Sequence, residues 1–185
     1  MRWQDVYFDH SDDDPFPKML DDEPENLLGP YVSTEVALVE KALRFAQVGR
    51  LDRVLDLGSG DGRFCVAAVQ QFGAEVAVGV DIDDELVKLS QARAEQCEVS
   101  GAARFLCADL TAPGVGNTAV SLCGQPSLVI VFLLPEAEQK FEEVLMSLYE
   151  AGARVLSLAF ELDRIQGLQL RKKEAPMYLY SKAEI

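Results

Sequence analysis

Val54-Leu55-Asp56-Leu57-Gly58-Ser59-Gly60-Asp61-Gly62-Arg63-Phe64 joins an apolar run, an acid, three glycines at alternate positions and the start of a second apolar run. The order reads as strand, tight loop, helix. Glycines at 58, 60 and 62 permit a sharp turn and let backbone N–H groups approach a bound group that a Cβ would keep away. The spacing also excludes ligands. A dinucleotide loop of the form G-x-G-x-x-G, counted from Gly58, needs its third glycine where Arg63 stands. A P-loop ends in G-K-S or G-K-T, and neither occurs. Asp56 would repel a pyrophosphate, so D-x-G-x-G-x-G suits a cationic or zwitterionic nucleoside better.

A nucleoside bound at a parallel sheet needs a ribose anchor at the end of the second strand. Glu75–Asp81 is a short apolar run that ends in Asp81, whose carboxylate can accept both ribose hydroxyls. Ala103–Asp109 repeats the design, and Leu128–Leu134 is a third apolar run. Alone, Asp81 or Asp109 reads as a helix cap or a loop acid. Together with Asp56 they put one acid at the end of each of three successive strands.

This pattern resembles the first motif of the class I S-adenosylmethionine-dependent methyltransferases. The resemblance implies that Gly58, Gly60 and Gly62 pack against S-adenosylmethionine (product S-adenosylhomocysteine). It further implies that Asp56 helps to hold the amino-acid moiety, Asp81 the ribose and Asp109 the adenine amino group. Thr34, Ile82, Leu110 and Phe132 complete the implied cofactor-binding set. A narrower resemblance rests on Pro30-Tyr31-Val32-Ser33-Thr34, Asp56–Arg63, Gly79-Val80-Asp81-Ile82-Asp83 and Val131-Phe132-Leu133-Leu134-Pro135. These are similar to a small protein-lysine N-methyltransferase family, whose eukaryotic members methylate lysines of mitochondrial inner-membrane proteins and whose bacterial relatives have unassigned substrates. Members of the mitochondrial branch carry an N-terminal membrane-targeting segment, whereas this chain begins with an acidic stretch, which leaves compartment and acceptor open.

The loop after the third apolar run bears on the acceptor. Enzymes that methylate amide or exocyclic-amine nitrogens use an Asn/Asp-Pro-Pro-Tyr/Phe loop in the best-known families; here the position reads Phe132-Leu133-Leu134-Pro135-Glu136. Apolar walls suit a lysine, whose aliphatic stem needs burial. Glu136 and Tyr31 are the candidates to orient or deprotonate an amine. Glu136 also reads as a first-turn acid facing the helix dipole, and Tyr31 as a packing aromatic. Arg63 either pairs with a nearby acid or lies solvated at the helix start.

With 185 residues, 49% of them hydrophobic, the chain can build one good core. The expected organisation is an acidic N-terminal arm, 1–29, and a methyltransferase domain, 30–185. Of the net charge of −14, residues 1–30 carry nine acids against two bases. Such a chain repels bare nucleic acid and attracts basic protein segments, although the acids also serve solubility. No apolar stretch reaches membrane-span length, and the start is neither a secretory signal nor a transit peptide. A cytoplasmic location is expected, with a nuclear one open. Cys65, Cys97, Cys107 and Cys123 form no C-x-x-C pair and read as reduced core thiols. The single histidine, His10, rules out a histidine-based metal site.

Helices are expected over Ser33–Val48, with Ser33 as cap and Gly49 as terminator, and over Gly62–Phe72, Asp83–Cys97 and Pro135–Glu150. A strand at Ala153–Phe160 precedes a hairpin of Gly167–Lys172 and Met177–Ser181, turning at Glu174-Ala175-Pro176. The predicted fold is α/β: a Rossmann-like, doubly wound, seven-stranded, mainly parallel sheet with a C-terminal antiparallel hairpin. Expected partners are a protein or peptide with a basic side chain, or a small molecule, with no nucleic acid and no membrane. The alternatives are a small-molecule methyltransferase and a catalytically silent cofactor-binding subunit. Nothing in the pattern bears on oligomeric state.

Overall fold

The computed structural model describes residues 1–7 and 28–183. The glycine-loop strand is β1 (Arg53–Leu57), and it is followed by β2 (Val76–Asp81), β3 (Ala103–Cys107), β4 (Leu128–Val131) and β5 (Arg154–Leu158). These five run parallel in the order β3-β2-β1-β4-β5, and the hairpin of β6 (Leu170–Glu174) and β7 (Met177–Tyr180) extends the sheet as β5-β7-β6. Strand β7 pairs antiparallel with both neighbours, as the sequence predicts. Strand order reverses between β1 and β4, which opens a crevice at the carboxyl ends of the strands.

Alternation along each strand feeds two cores. Val54, Ala77, Ile130 and Leu156 face one side, while Leu55, Val78, Val129 and Val155 face the other. The first side is covered by α1 (Trp3–Tyr7), α2 (Val36–Phe45), α3 (Arg63–Gln70) and α4 (Asp84–Gln96). The second is covered by α5 (Val115–Cys123) and α6 (Glu138–Glu150), the latter entered through a 3-10 turn at Pro135–Ala137. A strand with both faces covered has no polar side, which explains why β4 reads as an unbroken apolar run.

Four local expectations change. Ser33 does not cap α2: the cap position is Glu35, without a side-chain bond, because residues 31–34 stay outside the helix, with the Thr34 carbonyl taken by Arg63. Strand β6 starts at Leu170 rather than Gly167. All five of its residues are exposed and a bulge interrupts its pairing, so no apolar alternation marks its ends. Helix α5 was not marked by periodicity or a polar cap; Gly114 and Gly124 bound it instead. Cys107 is exposed at the edge of β3, whereas Cys65, Cys97 and Cys123 are core thiols.

The N-terminal residues join the fold. Trp3 and Tyr7 are 1% and 3% exposed in the first core, with the Trp3 backbone N–H and indole N–H each donating at 2.5 Å to the side-chain carbonyls of Gln70 and Gln71. The rest of the expected arm, 8–27, lies outside the described residues.

Candidate active site

The glycine loop is pinned from below and from the side. Gly58 and Ser59 donate backbone N–H bonds of 2.9 and 3.0 Å to Val80 O at the end of β2. Asp81 Oδ2 accepts the Gly60 N–H at 2.7 Å, and its Oδ1 accepts the Asp83 N–H at 3.0 Å. Ser90, buried in α4, places its hydroxyl 3.0 Å from the Gly60 carbonyl. Gly58 and Gly60 have φ of +81° and +52°, a region that L side chains rarely adopt. A Cβ on Gly60 would also lie 2.7 Å from the Tyr31 ring, and one on Gly58 2.7 Å from Leu133. Tyr31 and Leu133 thus flank the loop, one from the segment before α2 and one from the loop after β4.

A buried charge cluster fixes the start of α3. Asp61 is 1% exposed and is gripped by Arg63, whose Nε and Nη2 donate to its two oxygens at 2.9 and 2.6 Å, while Arg93 of α4 donates to Oδ2. Burial alone would raise the Asp61 pKa; the bonds and charge of Arg63, then the charge of Arg93, override it and hold the carboxyl below the usual range. Both guanidiniums also stack over the Tyr7 ring, at 5.4 and 4.5 Å, and the Tyr7 hydroxyl donates to Asp61 O at 3.0 Å. Arg63 is therefore a paired core residue and not a solvated one. Sequence reading missed Asp61, Arg93 and Tyr7 as its partners. The signal was the acid two residues before Arg63, a spacing that permits a forked pair at a helix start.

Asp56 is buried with Oδ2 lacking a partner among the described residues, and burial, then the charges of Asp81 and Asp61, push its pKa up to about 8. Burial also raises Asp81 against the opposing N–H bonds. Tyr31 accepts a 3.4 Å bond from Arg63, and burial followed by the Asp61 charge pushes its hydroxyl well above the usual range. Near neutral pH it is a hydrogen-bonding group, not a base. Asp109, at the edge next to β2, accepts from the Thr111 N–H and hydroxyl at 2.7 Å each. Leu110 is buried, Ile82 and Phe132 are half-buried, and Thr34 is buried with its carbonyl on Arg63. Thus Thr34, Tyr31, the glycines and Asp81 come together around the loop. Glu136 is exposed in the 3-10 turn after β4. The structure adds Glu138, a buried acid in α6 with neither carboxylate oxygen partnered among the described residues. Its signal was an acid three residues before Phe141 on an apolar stripe.

An orphaned carboxylate beneath a loop held by Asp81, with both nearby arginines committed to Asp61, fits a ligand that carries cationic groups. The sequence model of the ANTKMT methyltransferase domain matches residues 56–169. The chain belongs to this methyltransferase family. The domain is S-adenosylmethionine-dependent and of the class I, Rossmann-like type. It is 33% identical to a protein-lysine N-methyltransferase of Saccharolobus islandicus, over 72% of this chain and 78% of that protein. It is 34% identical to the adenine nucleotide translocase lysine N-methyltransferase of Mus musculus, over 77% of this chain but only 58% of the mouse protein. Among solved structures, an RNA methyltransferase from Salinibacter ruber in complex with S-adenosyl-L-homocysteine superposes with a TM-score of 0.66 at 29% identity, covering 80% of this chain and 91% of that one. In this methyltransferase domain no helix among the described residues is long and apolar enough to cross a membrane.

Proposed function

We propose that the protein transfers a methyl group from S-adenosylmethionine to the side-chain nitrogen of a lysine in a basic protein or peptide. One observation carries the reading: around the glycine loop Arg63 and Arg93 are both bound to Asp61, so neither is left to hold the phosphate of a nucleic acid. The Saccharolobus islandicus and Mus musculus relatives bear the names of lysine methyltransferases, whereas the Salinibacter ruber structure is titled an RNA methyltransferase. Charge favours the lysine. A chain of net charge −14 lacks the excess of Lys and Arg that phosphate backbones require, and it draws in an ammonium instead. We place the protein in the cytoplasm, since all four cysteines are free and three are buried.

When bound, the cofactor supplies an electrophilic methyl group on a sulfonium centre. Asp81 holds the ribose hydroxyls while keeping the Gly60 N–H, Asp56 faces the cationic amino-acid end, and Asp109 with Leu110, Ile82 and Phe132 frames the adenine. Thr34 and Tyr31 keep the loop in place through Arg63. Glu136 and the apolar Leu133 and Leu134 form the acceptor side. Most of the rate comes from positioning and from keeping water away from the amine.

Full-length protein, labelled S-adenosylmethionine and separate pools of lysine peptides, RNA and metabolites test the reading. Label should enter lysine, and less of it as ionic strength rises, because exposed charges attract the peptide only weakly through salt. Label confined to RNA or metabolites overturns it.

Asp56 adds a pH signature. Its folded pKa is raised, so the stability it contributes is complete below the unfolded value and disappears as pH rises through about 8. Asp56→Asn should flatten that fall in Tm with pH. A cation arriving beside Asp56 favours its ionised form, so cofactor binding near pH 7.5 should release part of a proton. Calorimetry in buffers of different ionisation enthalpy would read the release, and it should vanish in Asp56→Asn.

A further inference from the structure

Glu138 shares the buried stripe of α6 with Phe141, Leu145 and Leu148, positions that pack on the second core. It is 2% exposed, and both of its oxygens are buried without a hydrogen-bond partner among the described residues. An ionised carboxylate kept in that condition weakens the fold, and an apolar side chain at the same position would strengthen it. Such an arrangement persists where a function needs it. The charged groups that act on Glu138 are Arg164 and Asp163 from the segment after β5, Glu136 from the 3-10 turn and Glu142 one turn along α6. Arg164, the one cation of this set, spends a hydrogen bond of 3.3 Å on the Pro135 carbonyl. That bond ties the segment after β5 to the loop after β4.

Position in the fold supplies the second argument. Glycine loop, Asp81 and Asp109 occupy the carboxyl ends of β1 to β3, on one side of the order reversal. Glu138 follows β4 on the other side, in the first turn of α6.

We propose that Glu138, rather than Glu136, is the carboxylate that receives the acceptor lysine, an assignment that rests on the lysine reading above. The ammonium reaches it by displacing the Arg164–Pro135 bond. One N–H bond of the ammonium then breaks, an O–H bond forms on Glu138, and nitrogen keeps the electron pair as the lone pair of a neutral amine. After the methylated ammonium leaves, the carboxylic acid returns its proton to water. Burial favours this transfer from both sides, raising the proton affinity of a carboxylate and lowering that of an ammonium.

The test compares full-length wild type with Glu138→Gln and Glu138→Met on poly-L-lysine and on single-lysine peptides. Both variants should bind S-adenosylhomocysteine within twofold of wild type, yet lose about 100-fold in kcat. Their residual activity should climb with pH along the lysine's own deprotonation. Melting temperatures should equal or exceed wild type, and the gain should widen as pH rises, since a raised folded pKa makes wild type lose stability in that direction. Should Glu138→Gln fold poorly, Glu138→Met carries the same expectations on its apolar stripe. Variant kcat within twofold of wild type at every pH overturns the role of Glu138 and leaves the methyltransferase reading intact. Wild type that modifies no lysine overturns the lysine reading, and this assignment with it.

Discussion

Asp81→Ala should weaken S-adenosylhomocysteine binding at least about 100-fold, measured by calorimetry on folded protein, because two charge-assisted hydrogen bonds to ribose are each worth about 1.5–3 kcal/mol. The substitution acts twice. It removes the acceptor for the ligand, and it releases the Gly60 N–H and the Asp83 N–H that the carboxylate holds at 2.7 and 3.0 Å. Around Gly60 the loop would then keep its bonds to Val80 O and its contact with Ser90. Asp81→Asn separates the two effects. Its single carbonyl oxygen can satisfy one backbone donor while the amide nitrogen faces the other, so affinity should fall between wild type and the alanine variant. Unchanged affinity in Asp81→Ala would sink the ribose assignment.

The second large effect falls on stability. Asp61→Ala strips the counter-ion from Arg63, which is 7% exposed, and from Arg93, leaving two guanidiniums in or against the core. Breaking a buried pair in this way costs about 3–5 kcal/mol. For a chain of this size that is a fall in Tm of roughly 10 °C. The consequence is not confined to stability, because Arg63 also holds the Thr34 carbonyl and the Tyr31 hydroxyl. Cofactor affinity should fall with the melting temperature. A double variant, Asp61→Ala with Arg63→Met, should recover part of the stability by removing one orphaned charge. A Tm within 2 °C of wild type, about half a kcal/mol, would show that water reaches the cluster and that its burial carries no weight.

Much of this molecule could be read before its structure. The parallel sheet shows in its apolar runs, three of which end in an acid, because strands covered on both faces have no polar side to hide. The loop announced itself through three glycines whose positive φ no other residue adopts cheaply. What stayed hidden depends on contacts between residues distant in sequence. Tyr7 meets Asp61 only because α1 lies along α3, and no local pattern around residue 7 says so. Glu138 looked like one more acid in a helix rich in Glu, and its meaning emerged only from its place on the buried stripe. The wrong start of β6 has a simpler cause: a fully exposed edge strand need not alternate.

Docking of α1 makes the chain its own reporter. Trp3 is the only tryptophan, it is buried, and its indole N–H is held by Gln71. Four residues on, Tyr7 sits on the loop that the cofactor must touch. Emission from that one indole therefore follows the seating of the N-terminal helix on α3. A red shift that precedes global melting would mean that the anchor of the glycine loop lets go before the sheet does. The optical signal of this protein and the geometry of its site share one short helix.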